Sequence, residues 1–211
     1  MAAGRPGGSP SRQPRRTQAD RREAAEQRLL DAAIRLIAER GIKGTTLGDV
    51  GEEAGYSRGL TAHHYKTKEG LVKAVAAEIH RRFRERLMAS TPPVDGLERL
   101  LAAIGVYLDV GDIPASKALH LIQKEALTQQ SEFRGILRKF NRGSAGWLEQ
   151  QLRAGIAAGD IRPDIDPSSH ANLLLATLRG ARAQWLLAPG DVDMASVAVE
   201  LMSHVKRSVA T

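Results

Sequence analysis

The side chains that could do chemistry in this 211-residue chain are few. It has no cysteine, which excludes thiol catalysis, disulfides and Cys-based zinc sites. There is no His-Glu-x-x-His motif, no glycine-rich phosphate loop and no nucleophile elbow. The best acid/base pair, His120 and Glu125, is five residues apart, which places the two about 140° round a helix and makes a poor joint site. His63 and His64 are adjacent, so on a helix they point about 100° apart and cannot share an ion as an i, i+4 pair can. No metal or cofactor is expected.

What remains is anion chemistry, in the stretch "YSRGLTAHHYKTKEG" (56–70). Lys66 and Lys68 flank Thr67, which has the position of a helix N-cap. A helix start already carries partial positive charge, so lysine there is unfavourable unless an anion lies against it. A phosphate would be held by the free backbone N–H groups, the dipole and the lysines together. The alternative is a lysine extended into water. Charge distribution bears on the choice. Residues 1–90 carry 18 Lys and Arg against 11 Asp and Glu, and residues 91–211 carry 13 of each. The whole net charge of +7 therefore lies in the first 90 residues, as a polyanion partner for that part alone would require.

The elements around these residues read as helices. Residues 1–20 are rich in Gly, Pro, Ser and Arg with little to bury, so a disordered basic tail is expected there. It either reaches into a DNA minor groove or is inert. Leu29, Leu30, Ala33 and Ile37 recur at helical spacing up to Gly41. Thr46 and Asp49 form a capping box for a helix of barely two turns ending at Gly55. Ser57 is placed to cap another, ending near Tyr65, and Thr67 a long one with the stripe Val72, Val75, Ala76, Ile79, Phe83, Leu87. Further helices are predicted near 95–110, 115–129, 132–158, 168–187 and 192–208, and no strand-type alternation competes with them. The fold class is all-α. No apolar run reaches the roughly 18 residues a membrane span needs, and the N-terminus lacks a signal-peptide core, so a cytoplasmic protein is expected.

Two short helices joined by "AGYS" in the basic half, followed directly by a long amphipathic helix, make a helix-turn-helix signature. The stretch "RLLDAAIRLIAERGIKGTTLGDVGEEAGYSRGLTAHHYKTKEGLVKAV" resembles the N-terminal DNA-binding domain of the TetR family of transcriptional regulators. The likeness spans roughly residues 22–80 and rests on the G-hydrophobic-TT start, the A-G-Y-S turn and the H-[FY]-x-[ST]-K-E block with Leu71 after it. It implies a homodimeric repressor that binds a palindromic double-stranded DNA operator and carries a small-molecule effector pocket in its C-terminal half. It also implies the division 1–20 tail, 21–67 helix-turn-helix, 68–88 linking helix and 89–211 ligand and dimer domain.

Carried over position by position, Thr46, Lys66, Thr67 and Lys68 become phosphate contacts. Ser57, Arg58, Gly59, Leu60 and Thr61 become the exposed start of the recognition helix. Arg58 suits a bidentate contact to guanine, and a backbone or solvated role stays open. His63 and His64 become backbone contacts, with Tyr65 packing inward. The chain departs from the family with Gly51 for alanine, Thr61 for an apolar β-branched residue, and His63 for tyrosine.

In the second half Glu125 lies on the apolar face of its helix, either paired with a neighbouring cation or facing a ligand. Tyr107, Gln123, Asn141 and Trp147 are the other candidate ligand contacts. The 168–187 helix is apolar on two faces, the second carrying Leu173, Ala176, Gly180, Ala183 and Leu187. With Leu201 and Val205 of the last helix these are candidate dimer contacts, although a place in the subunit's own core would also account for them. Two rival functions remain on sequence alone: an α-helical enzyme, and a constitutive or architectural DNA-binding protein without an effector.

Overall fold

The computed structural model describes residues 17–128 and 131–211. Helices make up almost all of it: α1 (Gln18–Arg40), α2 (Leu47–Glu53), α3 (Arg58–Tyr65), α4 (Lys68–Ser90), α5 (Leu97–Leu108), α6 (Ile113–Ala126), α7 (Arg134–Ala158), α8 (Pro167–Leu187) and α9 (Met194–Val209). Among the described residues the extended pairing is limited to one bridge, Ile161 with Ala210, tying the chain end to the α7–α8 loop. No described helix is long and apolar enough to cross a membrane.

The helix starts follow local chemistry. Thr17, Thr46, Thr67, Asp112, Asp166 and Asp193 each accept a hydrogen bond from a first-turn backbone N–H. Thr17 with Asp20 forms a full capping box, so α1 begins at residue 18 and residues 17–20 are not part of a disordered tail. The signal was the Thr-x-x-Asp spacing, obscured by the polar residues around it. The expected behaviour of residues 1–16 falls outside the described residues. The linking helix also runs to Ser90, two residues beyond the expected end.

Two apolar clusters hold the helices together. The first joins α1 (Leu29, Ile37), α2 (Val50) and the first half of α4 (Leu71, Val75) to α6 (Ala118, Ile122) and Leu137 of α7. The second joins α5 (Leu100, Ile104), α7 (Leu148, Leu152), α8 (Leu174, Leu178, Trp185) and α9 (Met194, Val209). The first cluster crosses the expected boundaries at residues 67 and 88. The reason lies in "LLDAAIRLIA": α1 buries Ala32 and Leu36 as well as the predicted stripe, more apolar surface than α2 to α4 cover. Helix α6 covers the remainder.

A charged cluster fastens α1 to α4 beside this core. Glu78, only 7% exposed, accepts from Arg81 at 2.8 Å, from Arg82 at 2.6 Å and from Gln27 of α1 at 3.1 Å. Arg82 also pairs with Asp31 of α1. The Arg81 hydrogen bond leads in holding the Glu78 carboxyl down at about 2, burial opposes it, and Arg82 and Gln27 assist. A carboxyl lowered from 4.5 in this way contributes stability above that pH, lost as pH falls towards about 2. Glu78→Gln is therefore expected to cost about 3 kcal/mol near neutral pH. In urea unfolding the gap to the parent protein should narrow steadily between about pH 4.5 and pH 2, and a gap independent of pH would refute the ionic account.

Candidate functional site

The first site is the helix-turn-helix. Helix α2 ends at Glu53, Gly55 turns the chain at φ +77°, and α3 starts at Arg58. The helices cross at Gly51, where an added Cβ would lie 2.8 Å from the Ser57 carbonyl and 3.0 Å from Thr61 Oγ1. Only glycine permits this approach. Thr61 is a correction to the sequence reading: it is fully buried against Gly51, so it supports the turn and offers nothing to a ligand outside. Its Oγ1 has no hydrogen-bond partner. Ser57 stands at the N-cap, but its side chain makes no capping bond, which corrects that expectation too.

The outer surface of α3 carries Arg58, Gly59, Ala62 and His63, all exposed, with Leu60 and His64 half-buried. Tyr65 turns inward onto the first core, and burial pushes its phenol up from the ordinary tyrosine value. Arg58 lies with its stem about 3.6 Å from where a Cβ on Gly48 would be, and its Nε donates to Glu52 at 2.5 Å. Both partners are solvent-exposed, so this pair is easily exchanged for another anion. Glu52, the partner, was not foreseen; its signal is the acidic pair "EE" six residues before Arg58.

Backbone and lysines converge at the start of α4. Lys66 has φ +56°, and Thr67 N–H bonds back to the Tyr65 carbonyl at 2.5 Å, a strained three-residue turn for a residue other than glycine. Thr67 accepts from Gly70 N–H at 3.0 Å, and Lys68 Nζ donates to the Lys43 carbonyl in the α1–α2 turn at 3.1 Å. That carbonyl relieves the cationic helix start from within the chain and brings Lys43, not singled out in the sequence, alongside Lys68. Thr46, next to that turn, accepts from Asp49 N–H at 3.1 Å, leaving its hydroxyl proton to donate outward.

The second site is a cavity of about 320 Å³ lined by α4, α5, α6, α7 and α8. Tyr107, Gln123 and Asn141 line it, and Trp147 lines an adjoining apolar space of about 190 Å³. Glu125 lies on neither wall. The sequence reading missed four arginines there, Arg82, Arg86, Arg179 and Arg182, and two histidines, His80 and His120, as cavity residues. Burial leads in lowering the pKa of both histidines, with the charges of Arg84 and then Arg179 adding to it at His80 and that of Arg179 at His120. Among the described residues no group of His, Asp or Glu could hold a metal ion.

Of the candidate dimer residues, Leu173 (67% exposed) and Leu187 (87%) stand open on α8 with Ala176 and Gly180, and Ala183 is half-buried. Val199 of α9, also 64% exposed, was not anticipated. The second apolar face of α8 is therefore left open by the described residues of one chain. Val205 is instead buried in the second core, and Leu201 packs against that core, because the inward stripe of α9 takes them.

A capped helix-turn-helix with a cationic rim, set on a helical body with an internal cavity, is the architecture of a DNA-binding transcriptional regulator. Residues 29–75 match the bacterial regulatory proteins of the tetR family, and residues 96–210 match the C-terminal domain of BetI-type transcriptional repressors. The chain belongs to the TetR family of transcriptional regulators. It is 28% identical over 191 residues, 87% of this chain and 90% of the relative, to the HTH-type transcriptional repressor KstR2 of Rhodococcus jostii. A transcriptional regulator of Saccharomonospora viridis, solved with choline, superposes with a TM-score of 0.79 at 20% identity over 90% of this chain and 99% of that one. FadR of Bacillus subtilis, solved with stearoyl-CoA, gives 0.74 at 20% identity over 84% and 95%. At these identities the two structures speak for the fold alone. Family membership answers the enzyme alternative.

Thr61→Val removes a buried unpartnered hydroxyl without changing volume. It is expected to raise unfolding stability by about 1 kcal/mol and leave DNA affinity unchanged. A loss of DNA affinity in a fully folded variant would show that the hydroxyl acts beyond the turn.

Proposed function

We propose that this protein is a homodimeric repressor of a palindromic operator, released by a small-molecule effector bound in the cavity. The observation that carries the reading is the double use of α6. Leu119, His120 and Gln123 of α6 line the cavity, while Ala118, Ile122 and Ala126 pack in the core shared with α1. A molecule that displaces α6 must therefore move or strain the helix on which the helix-turn-helix is built. Arg82 offers a second connection, since it lines the cavity and is bound to Asp31 of α1. The choline and stearoyl-CoA complexes of the two regulators with this fold support an occupied cavity in this one.

The uncovered stripe of α8, with Val199 of α9, supports a second copy of the chain packed there as a four-helix contact. Such a dimer presents two α3 helices to successive major grooves, about 34 Å apart. Tilting α1 and α4 in each subunit changes that spacing and releases the DNA. Lys66, Thr67, Lys68 and Thr46 hold phosphates in this reading, and Arg58 leaves Glu52 for a base edge.

Selection of bound fragments from a random DNA pool with purified protein tests the first half of the reading; recovery of no palindromic consensus would sink it. With the operator in hand, Lys68→Ala is expected to weaken all sequences alike and reduce the salt slope by about one. Arg58→Ala should relax the preference at one base pair per half-site, and uniform weakening would demote it to a backbone contact.

The switch has its own test. A compound that lowers operator affinity must bind the operator complex more weakly by the same factor. Emission of Trp147 and Trp185, both in the C-terminal half, reports its binding. If compounds saturate that signal while operator affinity stays fixed, the protein is a DNA-binding dimer without a switch.

A further inference from the structure

The walls of the cavity identify the chemistry of its occupant, taking the cavity as the effector site. Arg182 is 6% exposed, and its Nη2 donates to the main-chain oxygens of Tyr107 and Asp109. Among the described residues its Nη1 is buried with no partner. The Nε of Arg86 is likewise buried and unpartnered, its Nη2 reaching only the Val106 carbonyl at 3.3 Å. Arg179 donates to the Asn141 side-chain oxygen at 2.7 Å. Among the described residues none of these three guanidinium groups meets a carboxylate, whereas Arg82 is spent on Glu78 and Asp31. The carboxylate on this wall, Asp112, is occupied in capping α6 through Ala115 N–H. A buried cation such as Arg182, and a buried donor such as Arg86 Nε, are expensive when left unpaired unless something anionic completes them.

Aromatic rings on the walls could in principle cage a cation instead. Each of the wall rings already has one face covered. The Arg182 guanidinium lies 5.9 Å from the Tyr107 ring centre, Arg86 lies 5.9 Å from that of Phe83, and Phe140 is stacked on His80 at 4.4 Å. Arg99 covers Trp147 at 5.8 Å. A quaternary ammonium would have to displace guanidinium groups and then sit among them. The adjoining space shares His80, Phe83, Tyr107, Ser144 and Leu175 with the charged cavity; Arg84 also lies on it, and the rest of its walls are apolar, with Leu87, Met88, Leu148 and Leu178.

We infer that the effector is an amphipathic anion whose carboxylate or phosphate head completes Arg182, Arg86 and Arg179 and whose apolar body fills the space beside Trp147. This separates it from the choline-bound relative of the same fold, whose ligand is a cation.

Four probes with one hydrocarbon body and different heads test this on the full-length protein: decanoate, decyl phosphate, decan-1-ol and decyltrimethylammonium. Calorimetry and Trp147 and Trp185 emission read binding, with no DNA present. One or both anions should bind roughly 10- to 100-fold tighter than decan-1-ol, and decyltrimethylammonium weaker than decan-1-ol. Whichever anion wins names the head. Arg182→Met removes two bonds that hold the α5–α6 loop and threatens folding, so Arg179→Gln and Arg86→Gln carry the test. Each, with an unchanged melting curve, should lower anion affinity about tenfold or more and leave decan-1-ol unaffected.

Binding of the ammonium as tight as the better anion, parity of both anions with the alcohol, or anion affinity unmoved by both variants would each overturn the proposal. So would failure of both anions to bind. Operator release is scored separately. An anion that binds through these arginines without releasing DNA upholds the assignment of the cavity and defeats the switch.

Discussion

Helix α1 carries more apolar surface than a three-helix DNA-binding unit can bury, and the rest of the molecule is arranged around that excess. Leu29, Ile34, Leu36 and Ile37 are all within a few per cent of complete burial. Such burial needs helices on more than one side: α2 and α4 on one, α6 on another. Were α6 absent, the part of α1 packed against it would face water, at about 25 cal/mol for each Å². The DNA-binding unit and the C-terminal half are therefore not two bodies on a flexible tether. They share one close-packed core, and such cores transmit displacement because they have no slack to absorb it.

The Glu78 cluster lies at the edge of that shared core and gives it direction. Apolar packing between α1 and α4 would tolerate sliding, whereas a carboxylate bridging Arg81, Arg82 and Gln27, with Arg82 gripping Asp31, fixes the register of the two helices. Arg82 then has two surfaces, one on this cluster and one on the cavity wall. An anionic occupant, as proposed here, would compete with Asp31 and Glu78 for the same guanidinium. That competition is a physical route from ligand to α1 that adds to the displacement of α6.

At the DNA-facing end the structure gives up stability at several points. Lys66 holds a backbone conformation suited to glycine, Thr61 buries a hydroxyl without a partner, and the lysine at the start of α4 needs the Lys43 carbonyl to offset the helix dipole. Strain of this kind persists where the surrounding packing overrides it, and at Lys66 and Lys68 it falls on the surface read as the phosphate contact.

Much of this was legible in order along the chain. Capping boxes at Thr46 and the cap at Thr67, glycines at 41, 51 and 55, and helical periodicity depend on neighbours within a few residues, so local sequence determined the nine helices of the described residues and the turn between α2 and α3. The charge confined to residues 1–90 likewise singled out the DNA-binding end before any coordinates. Tertiary structure decided which face of each helix meets which neighbour. Thr61 points at Gly51 and not outward because α2 and α3 cross there, and Val205 lies inside because α9 turns that stripe to α5 and α8. The arginines of the cavity look like ordinary solvated residues in sequence. They come from α4 and α8, separated by about ninety positions, and no local pattern records that their guanidinium groups converge on one buried space. The burial of Arg182 and the unpartnered Nη1 of Arg182 and Nε of Arg86 are properties of that convergence, so only the packed helices could reveal them.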